Sequence, residues 1–268
     1  MRLRLPFLRS TPTVSVIRLQ GLILSGGRGL DDATLAPVID RAFARGRPAA
    51  VAIEVNSPGG SPVQSSLIAA RIRRLAEEKR IPVIAFVEDV AASGGYWLAC
   101  AADEIFVDRS SVVGSIGVIS AGFGLQDAIA RIGVERRVHT AGRSKSQLDP
   151  FRPEKPEDVA RLEGLLTDIH AHFIDHVKTR RGSRLKDNPD LFTGEIWIGD
   201  KAVSEGLADG VGHLMPVLKE RFGQKVRLRR YGARRSFWRR FGARMSAGFA
   251  EGLLDAAEER ALLARYGL

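Results

Sequence analysis

The chain reads as one α/β domain built on a mostly parallel sheet, and three observations predict it. Short β-rich runs alternate with helical stretches at the spacing of βαβ units. The run at 81–87, Ile-Pro-Val-Ile-Ala-Phe-Val, is apolar and β-branched, as a buried strand is. A length of 268 residues with 44% hydrophobic content suits one substantial core better than two small ones.

Residues 14–19 and 22–24 read as strands joined by a tight turn at Gln20-Gly21. Asp31-Asp32 opens a helix to about residue 44, and 49–55 is the next strand. The turn Asn56-Ser57-Pro58-Gly59-Gly60 ends it, and a helix over 62–79 follows. After the strand at 81–87 comes Ala-Ala-Ser93-Gly-Gly and an alanine-rich helix over 96–102. Residues 104–107, 112–119 and 134–139 read as strands, with a helix over 125–132. Pro153 and the acidic residues Glu154, Glu157 and Asp158 open a long helix to 181. Residues 192–198 are strand or loop, 201–207 a short helix, and about 247–264 a final amphipathic helix. The expected divisions are an N-terminal segment 1–13, a main domain 14–218 and a basic, amphipathic extension 219–268.

Composition excludes several function classes. One cysteine, Cys100, rules out an internal disulfide framework and sits on the apolar side of its helix, so it reads as inert core. The basic start Met1–Arg9 lacks the apolar stretch of a signal peptide, and no window of 18 apolar residues reads as a membrane span. The expectation is a cytoplasmic protein. The net charge of +10 is concentrated in 221–244, which holds ten arginines and lysines and no acid. Arg227 to Arg244 is interleaved with Tyr231, Phe237, Trp238 and Phe241, a composition that suits an anionic membrane surface. Nucleic-acid phosphates rank below lipid, and a solvated tail is the bland alternative.

Four short motifs carry the chemistry. Ser93 stands where a strand should turn into a helix, its hydroxyl beside the free N–H groups of the helix start. That layout suits a nucleophile, although a serine there is commonly a cap. Ser57-Pro58-Gly59-Gly60 is a tight turn with backbone N–H groups available to a ligand, or an ordinary turn. Gly114-Ser115-Ile116-Gly117 reads as a glycine-edged strand. Ala141-Gly142-Arg143-Ser144-Lys145-Ser146 is a polar turn with one lysine.

Together these motifs resemble the S49 peptidases, the signal peptide peptidase A and SohB-like branch of the ClpP/crotonase superfamily. The resemblance runs from about Val14 to Val217, and the Gly-x-x-Lys-Ser turn 52 residues after the serine singles out that branch. It implies a ClpP/crotonase-like α/β spiral with a parallel core sheet, followed here by the helical extension. It also implies a serine–lysine dyad, with Ser93 as nucleophile and Lys145 as general base. Gly59 and Gly94 N–H would form the oxyanion hole, and Ser115 or Ser146 would orient the lysine. A weakly nucleophilic hydroxyl needs such a base, and a lysine serves when burial disfavours its charged form. The substrate would be a peptide or unfolded protein, such as a remnant signal peptide. No metal, nucleotide or organic cofactor is called for. With one copy of the catalytic region, the resemblance implies a homo-oligomer whose subunits complete each other's sites.

Alternatives remain at this point. His139 is the histidine best placed to replace the lysine, and His172 with His176 has metal-ligand spacing but no third ligand. A crotonase-type acyl-CoA enzyme would use the same oxyanion hole but needs carboxylates, of which only Glu88 and Asp89 are near. A silent scaffold is the non-enzyme reading. Ala91, Ala92 and Val118 suggest a pocket for small or aliphatic side chains.

Overall fold

Four parallel strands form one side of the sheet out to its edge. They are β1 (Thr13–Gln20), β2 (Ala50–Ser57), β3 (Val83–Ala92) and the late strand β8 (Arg227–Tyr231). In space they run β3-β2-β1-β8, with β8 parallel to β1 from Thr13↔Arg227 to Ile17↔Tyr231. The structure is a computed structural model, and it describes residues 11–27, 29–142 and 144–232. The final helix expected over 247–264 lies outside the described residues.

β3 is the pivot. Its first half, Ile84–Phe86, pairs with β4 (Glu104–Val107), and its last three residues, Val90–Ala92, pair with β5 (Val112–Gly114). A ten-residue strand thus feeds two successive neighbours on one edge, which turns the sheet into a spiral. β4 continues to β7 (Gly210–Val211), and β5 takes an antiparallel partner, β6 (Ile196–Ile198).

The crossover helices cap as their sequences dictate. Asp31 accepts from Thr34 N–H at 2.8 Å ahead of α1 (Asp32–Ala44). Ser61 precedes α2 (Pro62–Lys79), with proline at the first helical position, where its missing N–H costs nothing. The short helix α3 (Gly94–Ala99) follows Ser93 directly, and α4 (Gln126–Arg131) is a surface turn of helix. α5 (Pro156–Arg181) is the longest helix among the described residues, acidic in its first turn and basic in its last. α6 (Gly199–Ser204) and α7 (Leu214–Phe222) complete the chain before β8.

The main core lies between the sheet and α1, α2, α3 and α5. Ile17, Ile53, Ile68, Leu98 and Ile105 are fully buried there. A smaller core on the other face joins Val14, Val16, Ile84 and Phe86 to Leu218 and Val226.

Three local readings change. The strand expected over 112–119 stops at Gly114, because Ser115 takes φ +50 and leaves the ladder. Residues 134–139 form no strand: the segment is largely exposed, Val134 is 52% exposed, and no neighbouring strand among the described residues pairs with it. Residues 22–24 contribute only isolated bridges, Ile23 to Leu30 and Gly60. The basic segment also begins inside the folded domain. Arg221 ends α7 paired to Glu104, and Arg227 to Arg230 are on the sheet-edge strand β8.

Candidate active site

The site forms at the carboxyl ends of β2 and β3, where both strands break into glycine-bearing turns. Ser93 sits at φ +52, ψ −123, a backbone region that L-residues enter only under constraint. Such a residue stores about 1–3 kcal/mol of strain. Its N–H donates to Gly114 O at 2.8 Å, and its carbonyl accepts from Trp97 N–H at 3.0 Å. The side chain makes no capping hydrogen bond. The hydroxyl is therefore not spent on the helix, and Ser93 is not acting as a cap.

The Ser-Pro-Gly-Gly turn presses against this serine. A methyl group at Gly59, where φ is +105, would stand 2.8 Å from both Ser93 Cβ and Gly94 N. One at Gly95 would stand 2.2 Å from Ser57 O. Only glycine lets the two turns approach this closely. Ser57 Oγ ties the turn down, donating to Gly21 O at 2.7 Å and accepting from Gly59 N–H at 3.2 Å. Gly59 N–H is thus engaged within its own turn, whereas its neighbour Gly60 lines the cavity beside Ser93 and Gly94.

That cavity has a volume of about 470 Å³. Ser93, Gly94, Ser115 and Gly117 supply its polar backbone edge, and Pro58, Trp97, Val118, Ile119, Ile169 and Phe173 its apolar walls. Trp97 stacks on Phe173 with ring centres 4.9 Å apart. Ala91 and Ala92 are fully buried and do not line the cavity, so its walls are larger and more aromatic than the alanines suggested. No carboxylate among the described residues lines it. Glu88, paired to Arg18, and Asp89, which accepts from Asn56, line a separate cleft instead.

Three of the four motifs therefore meet, and the fourth does not. Ser115, at φ +50, lines the cavity one residue beyond the β3–β5 pairing. Lys145 is exposed on a turn, and Ser146 lines a different depression with Asp149, Arg152 and Asp158. His139 is exposed and outside the cavity lining. His176 is committed elsewhere, its Nε2 3.1 Å from Trp97 O, and burial lowers its pKa. Burial pushes the Cys100 thiol from 9.0 up to about 12, which keeps it unreactive. The contribution of α5, through Ile169 and Phe173, went unread in the sequence; only their place on the apolar stripe of a long helix hinted at it.

A serine held on a strained strand-to-helix turn, its hydroxyl uncommitted and glycine backbone against it, is the arrangement of an acyl-transfer site. The sequence profile of peptidase family S49 matches residues 75–225, which include β3, Ser93, α3 and the whole of α5. The chain belongs to peptidase family S49. The S49 chain is 37% identical over 166 residues to the chloroplastic serine protease SPPA of Arabidopsis thaliana, covering 62% of this chain and 24% of that one. It is 50% identical over 271 residues to a Brucella melitensis protein named Na(+)/H(+) antiporter NhaA, covering 95% of this chain and 37% of that one. The chain thus spans well under half the length of these curated relatives. Among its described residues no helix is long and apolar enough to cross a membrane, and no antiporter activity is carried over from that name. Among solved structures, a variant of the 1510-N membrane-bound stomatin-specific protease, in complex with a substrate peptide, aligns with a TM-score of 0.53 at 15% identity. That alignment covers 92% of this chain and 98% of the other, and shows the shared ClpP-like fold.

Proposed function

We propose that this S49 protease is a serine endopeptidase in which Ser93 attacks the peptide carbonyl and Lys145 acts as general base. The observation that carries this is Ser93 itself: strained, uncapped and facing a mostly apolar cavity without a carboxylate in its described lining. The missing carboxylate weighs against the acyl-CoA reading. Gly94 N–H, at the start of α3, is one oxyanion donor. The second comes from the Ser-Pro-Gly-Gly turn. With Gly59 N–H turned to Ser57 Oγ, the cavity-lining Gly60 is the better placed of the pair.

Lys145 reaches the cavity from a second copy of the chain in this reading. Within one chain it is exposed and outside the lining of the Ser93 cavity, and a lysine serves as base only where burial disfavours its charge. The segment around it is short of partners: Ile119, Phe123 and Ile132 are 66%, 84% and 74% exposed. A neighbouring copy that covers these exposed apolar side chains and the lysine turn would bury the lysine and bring it to the other chain's serine. Ser115, already in the cavity, is then better placed than Ser146 to orient it. Two solved forms of 1510-N are described as a serine-to-alanine and a lysine-to-alanine variant, which fits a Ser–Lys pair in that protease. The substrates are unfolded or membrane-derived peptides, and the basic segment 221–244 favours an anionic membrane surface as the place of work.

The test compares wild type with Ser93→Ala and Lys145→Ala on an unfolded protein. Loss of cleavage in both, with assembly intact, supports the dyad. Loss in Ser93→Ala alone moves the base elsewhere, and an inactive assembled wild type removes the peptidase reading.

A further inference from the structure

α3 spans six residues, too few to be stable by itself. It nevertheless carries the junction on which Ser93 is strained. Its amino end is tied to β5 through Ser93 N–H and Gly114 O. Its carboxyl end and the turn after it are held by side chains. Trp97 O accepts from His176 Nε2 at 3.1 Å, and the His176 ring stacks on the Trp97 ring at 4.8 Å and 15°. Cys100 O and Ala102 O each accept from one Arg180 guanidinium at 2.9 Å, through Nε and Nη2. Ala101 O accepts from Arg73 Nη1 at 3.2 Å. Asp103 sits between the two arginines, 2.8 Å from Arg73 and 3.4 Å from Arg180, and its other oxygen accepts from Val83 N–H at the start of β3.

Carbonyls at a helix end have no partner within the helix, and cationic donors suit that end. Here three of the four donors to this turn come from Arg180 and His176 on α5, the helix that also supplies the cavity wall through Ile169 and Phe173. A strained residue persists only where its surroundings fix it from both sides. We infer that Arg180 and His176 are positioning residues for the nucleophile: they fix the carboxyl end of α3, and through it the place of Ser93 and Gly94 against the Ser-Pro-Gly-Gly turn. This rests on the reading of Ser93 as nucleophile.

The test uses the full chain with Arg180→Met, His176→Phe and His176→Gln. Methionine keeps an apolar stem without donors, phenylalanine keeps the stack on Trp97 without a donor, and glutamine keeps a donor without the stack. Three quantities are read: labelling of Ser93 by a fluorophosphonate, kcat and KM on an unfolded protein, and hydrogen exchange of the amides at 94–99. Labelling and kcat should fall about 10- to 100-fold in Arg180→Met and His176→Phe, with KM nearly unchanged. Exchange at 94–99 should quicken in both, and His176→Gln should restore much of each loss. Thermal stability that falls while kcat, labelling and exchange at 94–99 stay at wild-type values would overturn the assignment. If Arg180→Met does not fold, the two His176 variants decide it. If the wild type takes no label at Ser93, the nucleophile reading fails, and exchange at 94–99 still shows whether these side chains fix α3.

Discussion

Two stretches of this chain, adjacent in sequence, are built to opposite standards. Residues 83–117 are locked: β3 pairs on both edges, α3 is wholly buried, and Ser93 is bonded on both its backbone sides. Residues 118–148 are loose-fitting by comparison, with large apolar side chains in water and the lysine turn outside the cavity. The locked stretch sets Ser93, Gly94 and Ser115 around one cavity within one chain. The loose one leaves Phe123 and Ile132 in water, and the contrast teaches that one copy of this fold fixes the serine turn tightly while leaving the lysine turn outside the cavity.

The sharpest way to break that comparison is to mix two dead proteins. Ser93→Ala and Lys145→Ala should each lose at least about 10³-fold in cleavage rate. Co-assembled from a common unfolded pool, they should regain activity, because one supplies the serine and the other the lysine. Mixed oligomers that form and stay inactive would return the base to the serine's own chain.

A pair of glycines sharpens it next. A methyl at Gly59 meets Gly94 N and Ser93 Cβ at 2.8 Å, so Gly59→Ala should cost about 10²–10³ in kcat by shifting the oxyanion site. Gly133, at φ +70, has nothing within 4 Å of its missing side chain. Gly133→Ala should cost about 1 kcal/mol of stability from its backbone and lower cleavage far less than Gly59→Ala does. Equal effects on activity would erase the distinction between the two regions.

The smallest effect concerns the folded core that supports the locked side. The Arg71 guanidinium, hydrogen-bonded to Asp32 at 2.7 and 2.8 Å, holds that carboxyl below its ordinary 3.8 against a smaller opposing cost of burial. A lowered native pKa contributes stability above the unfolded value, and that stability is lost as pH falls through the native one. Asp32→Asn should therefore cost about 1 kcal/mol near neutral pH, and the difference should vanish well below pH 3.8. A gap between the denaturation curves that persists in strong acid would remove the ion pair as its cause.

Much of the fold was legible because its signals are local. Asp31, Ser61 and Pro62 fix where α1 and α2 begin, and the apolar run before Ser93 marks the central strand. The serine and its glycine turns were legible as motifs for the same reason. Position 134–139 misled, since Val134 and its neighbours have strand composition without a strand to pair with among the described residues. The arginines of β8 misled in the other direction. Charge alone marks a tail, but the outer strand of a sheet also carries it, as Arg230 does in pairing with Glu54 on β2.

By itself the sequence determined the βαβ order, the family motifs, the serine at a strand-to-helix junction and the glycines that permit close approach. Those properties follow from side-chain type and short spacing. Only the tertiary structure decided that Ser93 is strained and uncapped, that α5 walls the cavity and holds α3, and that Lys145 is exposed outside the cavity lining. Each of these depends on contacts between residues far apart in the chain, where the distance along the sequence says nothing about the distance in space.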